Sequence, residues 1–484
     1  MKLSKILSNV KVLNGYTDMD IVDIIYDSRK VTEGCAFVCL CGSASDGHDY
    51  AKSAQEKGAS VIIAQKEIDV NIPVVMVENT RQALALMSIE FFERPFEKMK
   101  TAAITGTKGK TSVSYMMQSI LEAQGYKVGV IGTVGVVIDG EVTKTNNTTP
   151  ESYEVQKYMR KMVDSGCDVC VMEVSSIGLK DYRVHGINYD IGIFTNFSQD
   201  HIGGNEHKDM QEYLESKAIL FKNCKIGVVN IDDENCENMI KDCVCSIETY
   251  GFSKNAKWRA ENNGLISKPG YLGVHFDLIS DESYGVDVSV PGKFSVYNAL
   301  ASLTASSLLG ASKEAILKGL DNVKAKGRVE PVKVPGDYTL LIDYAHNAIS
   351  MESILTTLRE YDPKRLICMF GAGGNRPKIR RYEMGEASGR LADLSVITAD
   401  NSRFEEVSDI LADIEIGLAK TDGEYIKIPD RREAIRYLLK NARSGDIIVL
   451  AGKGHEDYQE IKGVKYHFDE REVIAEILKE ENLL

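Results

Sequence analysis

Short runs of continuously apolar residues recur through the middle of the chain, at positions 128–131, 169–174, 191–196 and 226–230, bounded by polar or glycine-containing turns. Segments with helical spacing lie between them. In the clearest, Val113, Met116, Met117, Ile120 and Leu121 share one helix face and the pattern stops at Gly125. Strands that are apolar along their whole length are buried on both faces. Their alternation with helices predicts an α/β fold with a mostly parallel sheet covered on both sides. Beyond residue 336 the pattern resumes at 340–343, 366–370, 394–398 and 447–450. Two polar seams interrupt it, one at 93–100 around Pro95 and one at 324–331 ending in Pro331. They predict three domains, at 1–98, 99–329 and 330–484, which suits a length of 484 residues.

Composition narrows the classes of partner. A net charge of −13 and a pI near 5.3 argue against nucleic acid or an anionic membrane surface. No charged-then-apolar stretch opens the chain. Its longest apolar run, 128–138, is broken by glycines and too short to span a bilayer. A cytoplasmic protein, acting as a monomer, is the expectation. Ten cysteines include Cys167 and Cys170 at C-x-x-C spacing, but the pair sits in an apolar strand with no second pair or histidines at finger spacing. Reduced, structural thiols are expected.

Candidate chemistry starts at residues 106–112, between an apolar strand and the amphipathic helix. Gly106, Thr107, Lys108, Gly109, Lys110, Thr111 and Ser112 form a glycine–lysine–threonine loop whose backbone N–H groups can close around phosphate oxygens. Lys110 can reach the terminal phosphates, and the Thr111 hydroxyl can join a Mg²⁺ shell. Counted from Gly106 the spacing is G-x-x-G-K-[ST], two residues shorter than the usual G-x-x-x-x-G-K-[ST]. ATP is the implied nucleotide. In parallel sheets ligands gather at the carboxyl ends of strands, which singles out Glu173-Val-Ser-Ser176 and Asp200-His201. Glu173 with Thr111 offers the oxygen ligands Mg²⁺ prefers, and His201 lies on the same edge. A lone glutamate ending a strand is more often a loop anchor, and Lys217, on the next helical segment, reads by composition as an ordinary surface lysine.

Gly106-Thr-Lys-Gly-Lys-Thr111, Asn147-Thr-Thr-Pro150, Glu173-Val-Ser-Ser176, Thr195-Asn-Phe-Ser-Gln-Asp-His201 and Asp343-Tyr-Ala-His346 follow one another along the chain. As an ordered set they resemble the Mur ligase family of peptidoglycan-precursor enzymes. Asp27-Ser-Arg29 and Gly452-Lys-Gly-His-Glu-Asp-Tyr-Gln459 are similar to its MurE branch, which adds the third amino acid to UDP-MurNAc-L-Ala-D-Glu. The resemblance implies a small N-terminal α/β domain for the uridine end. It also implies a central P-loop-type ATPase domain with a parallel sheet, and a C-terminal Rossmann-like domain for the amino acid. Ser28 and Arg29 match the uridine-end motif, and Thr148, Thr149, Ser175 and Arg183 match positions that hold the muramoyl dipeptide. Asn298, Arg328, Asp343 and His346 match ATP-binding positions. Glu173 and His201 fall where the family binds Mg²⁺, and Lys217 where it carries a carbamylated lysine. A free lysine is cationic, with a pKa near roughly 10.4, and would repel Mg²⁺; a carbamate is an oxygen anion.

The implied chemistry passes the γ-phosphate of ATP to the D-Glu side-chain carboxylate, and the incoming amine then displaces phosphate from the acyl phosphate. Neither step needs a protein nucleophile; Lys110, Mg²⁺ and the loop N–H groups supply electrostatic stabilisation. For the amine, the resemblance favours meso-diaminopimelate over L-lysine. Arg376, Asp400, Asn401, Arg403, Gly452 and Glu456 match the diaminopimelate pattern, with arginines for a carboxylate and Glu456 for an ammonium. Ser402 stands where the family pattern has proline, so a freer loop is expected there. Lys108 replaces a usual asparagine, and the stretch before Lys217 is longer than in many relatives, with His207 read as a loop residue. A folylpolyglutamate-synthase-like ligase would share the later domains but lack the one carrying Asp27-Ser-Arg29. A non-catalytic paralogue would have lost Lys110, Thr111, Glu173, His201 or Lys217.

Overall fold

The computed structural model describes residues 1–42, 45–199, 202–203, 206–323, 327 and 329–483. They form two compact units: Met1–Arg259 with Tyr297–Gly319, and Ala260–Val296 with Leu320–Leu484.

The first unit holds two sheets. Near the N-terminus β1 (Ile24–Ile25), β2 (Ala36–Val38), β3 (Val61–Ala64) and β4 (Val74–Met76) pair in parallel, in that order. Helix α1 (Thr80–Phe91), capped by the Asn79 side chain, follows them. The larger sheet contains β5 (Lys100–Thr105), β6 (Val128–Gly132), β7 (Gly135–Ile138) and β8 (Glu141–Thr143). It continues with β9 (Val169–Glu173), β10 (Tyr189–Phe194), β11 (Cys224–Asn230) and β12 (Ser246–Gly251). Their spatial order is β12-β11-β10-β5-β9-β6-β7-β8, and the six strands from β12 to β6 run parallel. The 128–138 run turns back on itself: β6 and β7 pair antiparallel through Gly132 and Gly135, the latter at φ +127°.

Register explains why the predicted loops meet. Ile104 of β5 lies opposite both Glu173 and Ile193, so the loops after β5, β9 and β10 leave one edge side by side. Helices α2 (Lys110–Ala123), α3 (Ser152–Asp164) and α4 (Met210–Ala218) carry the remaining chemistry. Helix α3 also faces the N-terminal sheet: Tyr153 donates to Asp23 and Tyr26 to Glu154, each at 2.6 Å. At its head Glu151 pairs with Arg81 at 3.2 Å and with Arg183 at 3.1 Å.

In the second unit β13 (Trp258–Lys268, from Ala260 onward) is followed by the antiparallel pair β14 (Tyr271–Ile279) and β15 (Ser283–Val288). Helix α5 (Phe294–Leu308) returns the chain to the first unit from Tyr297. The main sheet is β16 (Glu330–Val332), β17 (Thr339–Asp343), β18 (Arg365–Phe370), β19 (Leu394–Ile397), β20 (Glu424–Lys427) and β21 (Asp446–Ala451). It is ordered β16-β17-β21-β18-β19-β20 and parallel except at β16. Alternate residues of β17, β18 and β21 enter two cores: Leu341, Cys368 and Val449 on one face, Ile342, Met369 and Ile448 on the other. That double burial is what continuously apolar strands foretell. Helix α6 (Ile379–Leu391) and the hairpin β22 (Tyr458–Ile461) with β23 (Val464–His467) flank the sheet's carboxyl edge.

Candidate active site

The glycine–lysine–threonine loop owes its shape to positive φ and close approach. Gly106 (φ +145°) and Gly109 (φ +87°) start and end the turn; a Cβ on Gly106 would collide with Thr195 Oγ1, and one on Gly109 would lie 2.6 Å from Asn298 Oδ1. Lys108 is exposed, with its N–H donated to Asn196 Oδ1 at 2.9 Å. Lys110 folds back over the loop, donating to the carbonyls of Gly106 (2.7 Å) and Thr107 (3.1 Å). Ser112 lies in the first turn of α2, half-buried.

Glu173 is buried at the end of β9 and accepts three hydrogen bonds. Thr111 Oγ1 donates at 2.9 Å, Thr133 Oγ1 at 3.0 Å and the Thr133 N–H at 3.1 Å. The substrate candidates gather beside it. Thr133 and Thr148 hydroxyls are 3.1 Å apart, Thr149 Oγ1 donates to the Glu173 carbonyl, and the Ser175 N–H donates back to Thr149 Oγ1. Arg183 donates to the Thr149 carbonyl at 3.0 Å.

Lys217 is not on the surface. It is 1% exposed, donates to the Gly106 carbonyl at 3.1 Å and lies 4.4 Å from the Tyr213 ring centroid. Tyr213, one helical turn earlier, sits with its hydroxyl 3.2 Å from Thr107 Oγ1. His207 is also buried, with Nε2 2.8 Å from Ser176 Oγ and its ring centroid 5.0 Å from that of Tyr213, the two planes tilted by 45°. His201 and Arg328 lie outside the described residues.

A cavity of about 570 Å³ opens where the N-terminal sheet meets α3, lined by Asp27, Arg29, Lys30, Lys144, Asn147 and Lys157 among others. Asp27 grips Arg29 with both oxygens (2.9 and 2.8 Å), and those bonds hold its carboxyl down to about 2. Ser28 lies between them; its carbonyl takes the Lys57 ammonium at 2.8 Å.

In the second unit a cavity of about 140 Å³ is lined by His346, Arg376, Asp400, Asn401, Arg403, Gly452 and Glu456. Six of these seven are the diaminopimelate candidates. Asp343 is an anchor below, accepting the N–H groups of Val329 (2.8 Å) and Ala345 (2.7 Å). His346 Nδ1 lies 2.8 Å from the Tyr344 carbonyl, and Arg380 donates to the His346 carbonyl. The loop at Ser402, where a missing proline predicted more freedom, is held by hydrogen bonds on either side. Ser402 is buried; Gly374 N–H donates to the Asn401 carbonyl (2.8 Å), Arg403 Nη1 to the Gly374 carbonyl (2.6 Å), and Arg403 N–H to the Glu460 carbonyl (2.9 Å). Arg403 itself has φ +52°. Arg381, 1% exposed, ties Glu405 and Asp413 together, and its bonds hold the Glu405 carboxyl down to about 2. Burial pushes the Asp400 carboxyl up, but the Lys453 and Arg431 cations outweigh it and keep it below its ordinary value.

One further cluster, Cys41, Asp46 and His48, has metal-ligand chemistry among the described residues. His48 Nε2 accepts the Gln65 N–H at 3.1 Å, so Nδ1 carries the proton and faces Asp46 at 2.5 Å. That tautomer commits the ring's one lone pair to the Gln65 N–H, and the group reads as a structural Asp–His pair. The ten cysteines are unpaired, and among the described residues no helix is long and apolar enough to cross a membrane.

Three family models match this arrangement in succession: the Mur ligase family catalytic domain over 20–91, the Mur ligase middle domain over 104–306, and the Mur ligase glutamate ligase domain over 327–454. The chain belongs to the Mur ligase family. Mur ligases are ATP-dependent amide ligases, with N-terminal, central and C-terminal domains. This Mur ligase is 43% identical to UDP-N-acetylmuramoyl-L-alanyl-D-glutamate–2,6-diaminopimelate ligase 1 of Clostridium acetobutylicum, over 99% of this chain and all of that one. It is 42% identical to the ligase of the same name from Caldanaerobacter subterraneus subsp. tengcongensis, over 99% of each chain. A solved structure of a 2,6-diaminopimelate ligase superposes with a TM-score of 0.74 at 29% identity, covering 96% of this chain and 95% of that one. Folylpolyglutamate synthase from Thermotoga maritima shares the fold (TM-score 0.58, 16% identity) over 77% of this Mur ligase and 90% of its own chain.

Thr133 and Tyr213 escaped the sequence. Tyr213 had a signal, since i−4 from Lys217 is the same helix face. Thr133 had none, because its role exists only through the β6–β7 turn.

Proposed function

We propose that this Mur ligase joins 2,6-diaminopimelate, in its meso form, to UDP-MurNAc-L-Ala-D-Glu at the expense of ATP. The carrying observation is the second-unit cavity, which is lined by both Arg376 and Arg403 and by Asp400 and Glu456. A zwitterionic end needs a cationic and an anionic receptor side by side; L-lysine has no distal carboxylate and would leave Arg403 without that partner. The names of the full-length relatives support the same reading.

In this reading the uridine end occupies the larger cavity beside Ser28 and Arg29, and the dipeptide runs past Thr148, Thr149, Ser175 and Arg183 toward Glu173. Gly106 to Ser112 hold the ATP phosphates, with Asn298, Arg328, Asp343 and His346 as further nucleotide contacts. The Glu173 carboxylate and Thr111 hydroxyl, 2.9 Å apart, are an all-oxygen pair that suits Mg²⁺, with His201 as a third ligand. A Mg²⁺ held by these residues would supply charge neutralisation at the phosphates. Lys217 suits that neighbourhood as the carbamate: buried beside Gly106, it then presents an anion instead of a competing cation. Lys110 moves from its carbonyl partners to the terminal phosphates when nucleotide enters. Domain limits at 98/99 and 329/330, a cytoplasmic location and a monomeric state complete the proposal.

The test is ADP release dependent on both UDP-MurNAc-L-Ala-D-Glu and an amino acid, run with meso-diaminopimelate, L-lysine and L-ornithine. Preference for meso-diaminopimelate by a large factor is expected. Preference for L-lysine would overturn the roles given to Arg376 and Arg403.

A further inference from the structure

Lys453 leaves β21 between two glycines held at positive φ, Gly452 at +111° and Gly454 at +52°. Its side chain is fully buried, and a buried ammonium needs partners. It donates to the Tyr458 carbonyl at 2.5 Å and to Asn401 Oδ1 at 3.3 Å, and faces Asp400 Oδ1 at 3.4 Å and Glu456 Oε2 at 3.6 Å. Asn401 Nδ2 donates in turn to Glu456 Oε2 at 2.8 Å. Asp400, Asn401 and Glu456 all line the 140 Å³ cavity. The neighbouring cation Arg431 is committed elsewhere, to Glu470 and the carbonyls of Ala399 and Ala451.

We propose that Lys453 is a positioning and specificity-determining residue for the incoming amino acid. Standing between Asp400 and Glu456, it leaves that wall of the cavity with one net negative charge, the complement of a single ammonium. Arg376 and Arg403 then receive the adjacent carboxylate. Without the lysine, the largely buried Asp400 and the partly exposed Glu456 lose the cation between them, and the wall repels a carboxylate-bearing end. The inference rests on the amino-acid site proposed above.

The experiment measures KM for meso-diaminopimelate, L-lysine, ATP and the UDP substrate in full-length K453M, D400N/K453M and R403A, with melting curves for each. K453M is expected to raise the diaminopimelate KM on the order of 100-fold, the scale of a broken buried pair, and to narrow the preference over L-lysine. KM for ATP and for the UDP substrate should stay within about threefold. D400N/K453M restores the net charge of minus one and should recover at least about tenfold of the loss. A parallel rise in every KM, or a double variant no better than K453M, overturns the proposal. If K453M does not fold, the double variant decides alone: a diaminopimelate KM within about tenfold of wild type supports the proposal and a larger rise overturns it. A large diaminopimelate effect in R403A with none in K453M removes only the lysine's role. No effect in R403A removes the amino-acid site, and the inference with it.

Discussion

Glu173→Gln separates the two readings a strand-ending glutamate allows, ligand or loop anchor. The carboxylate accepts from Thr111 Oγ1, Thr133 Oγ1 and the Thr133 N–H. Glutamine of the same shape can keep all three contacts. Its oxygen faces the Thr133 N–H, and its amide group faces two hydroxyls that can rotate to accept. The stability change is therefore expected to stay within about 1 kcal/mol, the net worth of one hydrogen bond. The charge, however, is gone. At about 4 Å and an effective dielectric of about 20, each unit of charge facing the carboxylate is worth about 4 kcal/mol. A dication doubles that figure and desolvation offsets roughly half of it, so about 4 kcal/mol remains. This corresponds to about 10³ in kcat/KM. Steady-state ADP release across a Mg²⁺ titration, paired with thermal melting, reads both quantities. A variant retaining activity within about tenfold at unchanged Mg²⁺ half-saturation, or one whose melting temperature collapses with its activity, would refute the ligand reading.

Lys217→Ala should lose most activity and regain part of it with added short carboxylates such as acetate or formate; absence of rescue by any of them would count against the carbamate. Arg381→Met removes a buried guanidinium from Glu405 and Asp413, but Glu405 is partly exposed and Asp413 keeps Lys378 at 3.4 Å, so the cost should be about 1–3 kcal/mol, measured by urea denaturation. The Glu405 carboxyl is held down to about 2 by Arg381, below its unfolded value of about 4.3. Its contribution is therefore full above about pH 4.5 and lost as pH falls toward 2, so Glu405→Gln should flatten the decline in urea midpoint across that window. Gly374→Ala drives a Cβ into the Ser402 carbonyl. It should cost about 1–3 kcal/mol and raise the diaminopimelate KM, while an unchanged KM would detach that loop from amino-acid recognition.

The large strands were legible because burial on both faces leaves an uninterrupted apolar run, and the loops after β5, β9 and β10 were legible because parallel register brings them to one edge. The N-terminal sheet was not, since strands of two to four residues carry too little periodicity to be told from turns. Among site residues, those within short motifs could be named in advance. Thr133 and Lys453 could not be given roles, because Thr133 meets Glu173 and Lys453 meets Asp400 and Asn401 only through the fold. Lys453 stood in view inside the Gly452–Gln459 motif, but only burial reveals that its charge points inward. At Ser402 the missing proline predicted slack, and its neighbours Asn401 and Arg403 are hydrogen-bonded to Gly374 and Glu460.

The contacts of α3 with the N-terminal sheet have a metrical consequence. Tyr153 to Asp23, Tyr26 to Glu154 and the Arg81–Glu151–Arg183 chain fasten the cavity by Arg29 to the same helix whose head adjoins Thr149 and Glu173. In the proposed reading this fixes the separation between the jaw that holds the uridine and the point where phosphate is received. The first unit then works as a caliper: a precursor one residue longer would overshoot the phosphoryl donor by up to about 3.5 Å, and one residue shorter would fall as far behind. Order of assembly along the growing peptide would thus be enforced by length before any side chain is inspected.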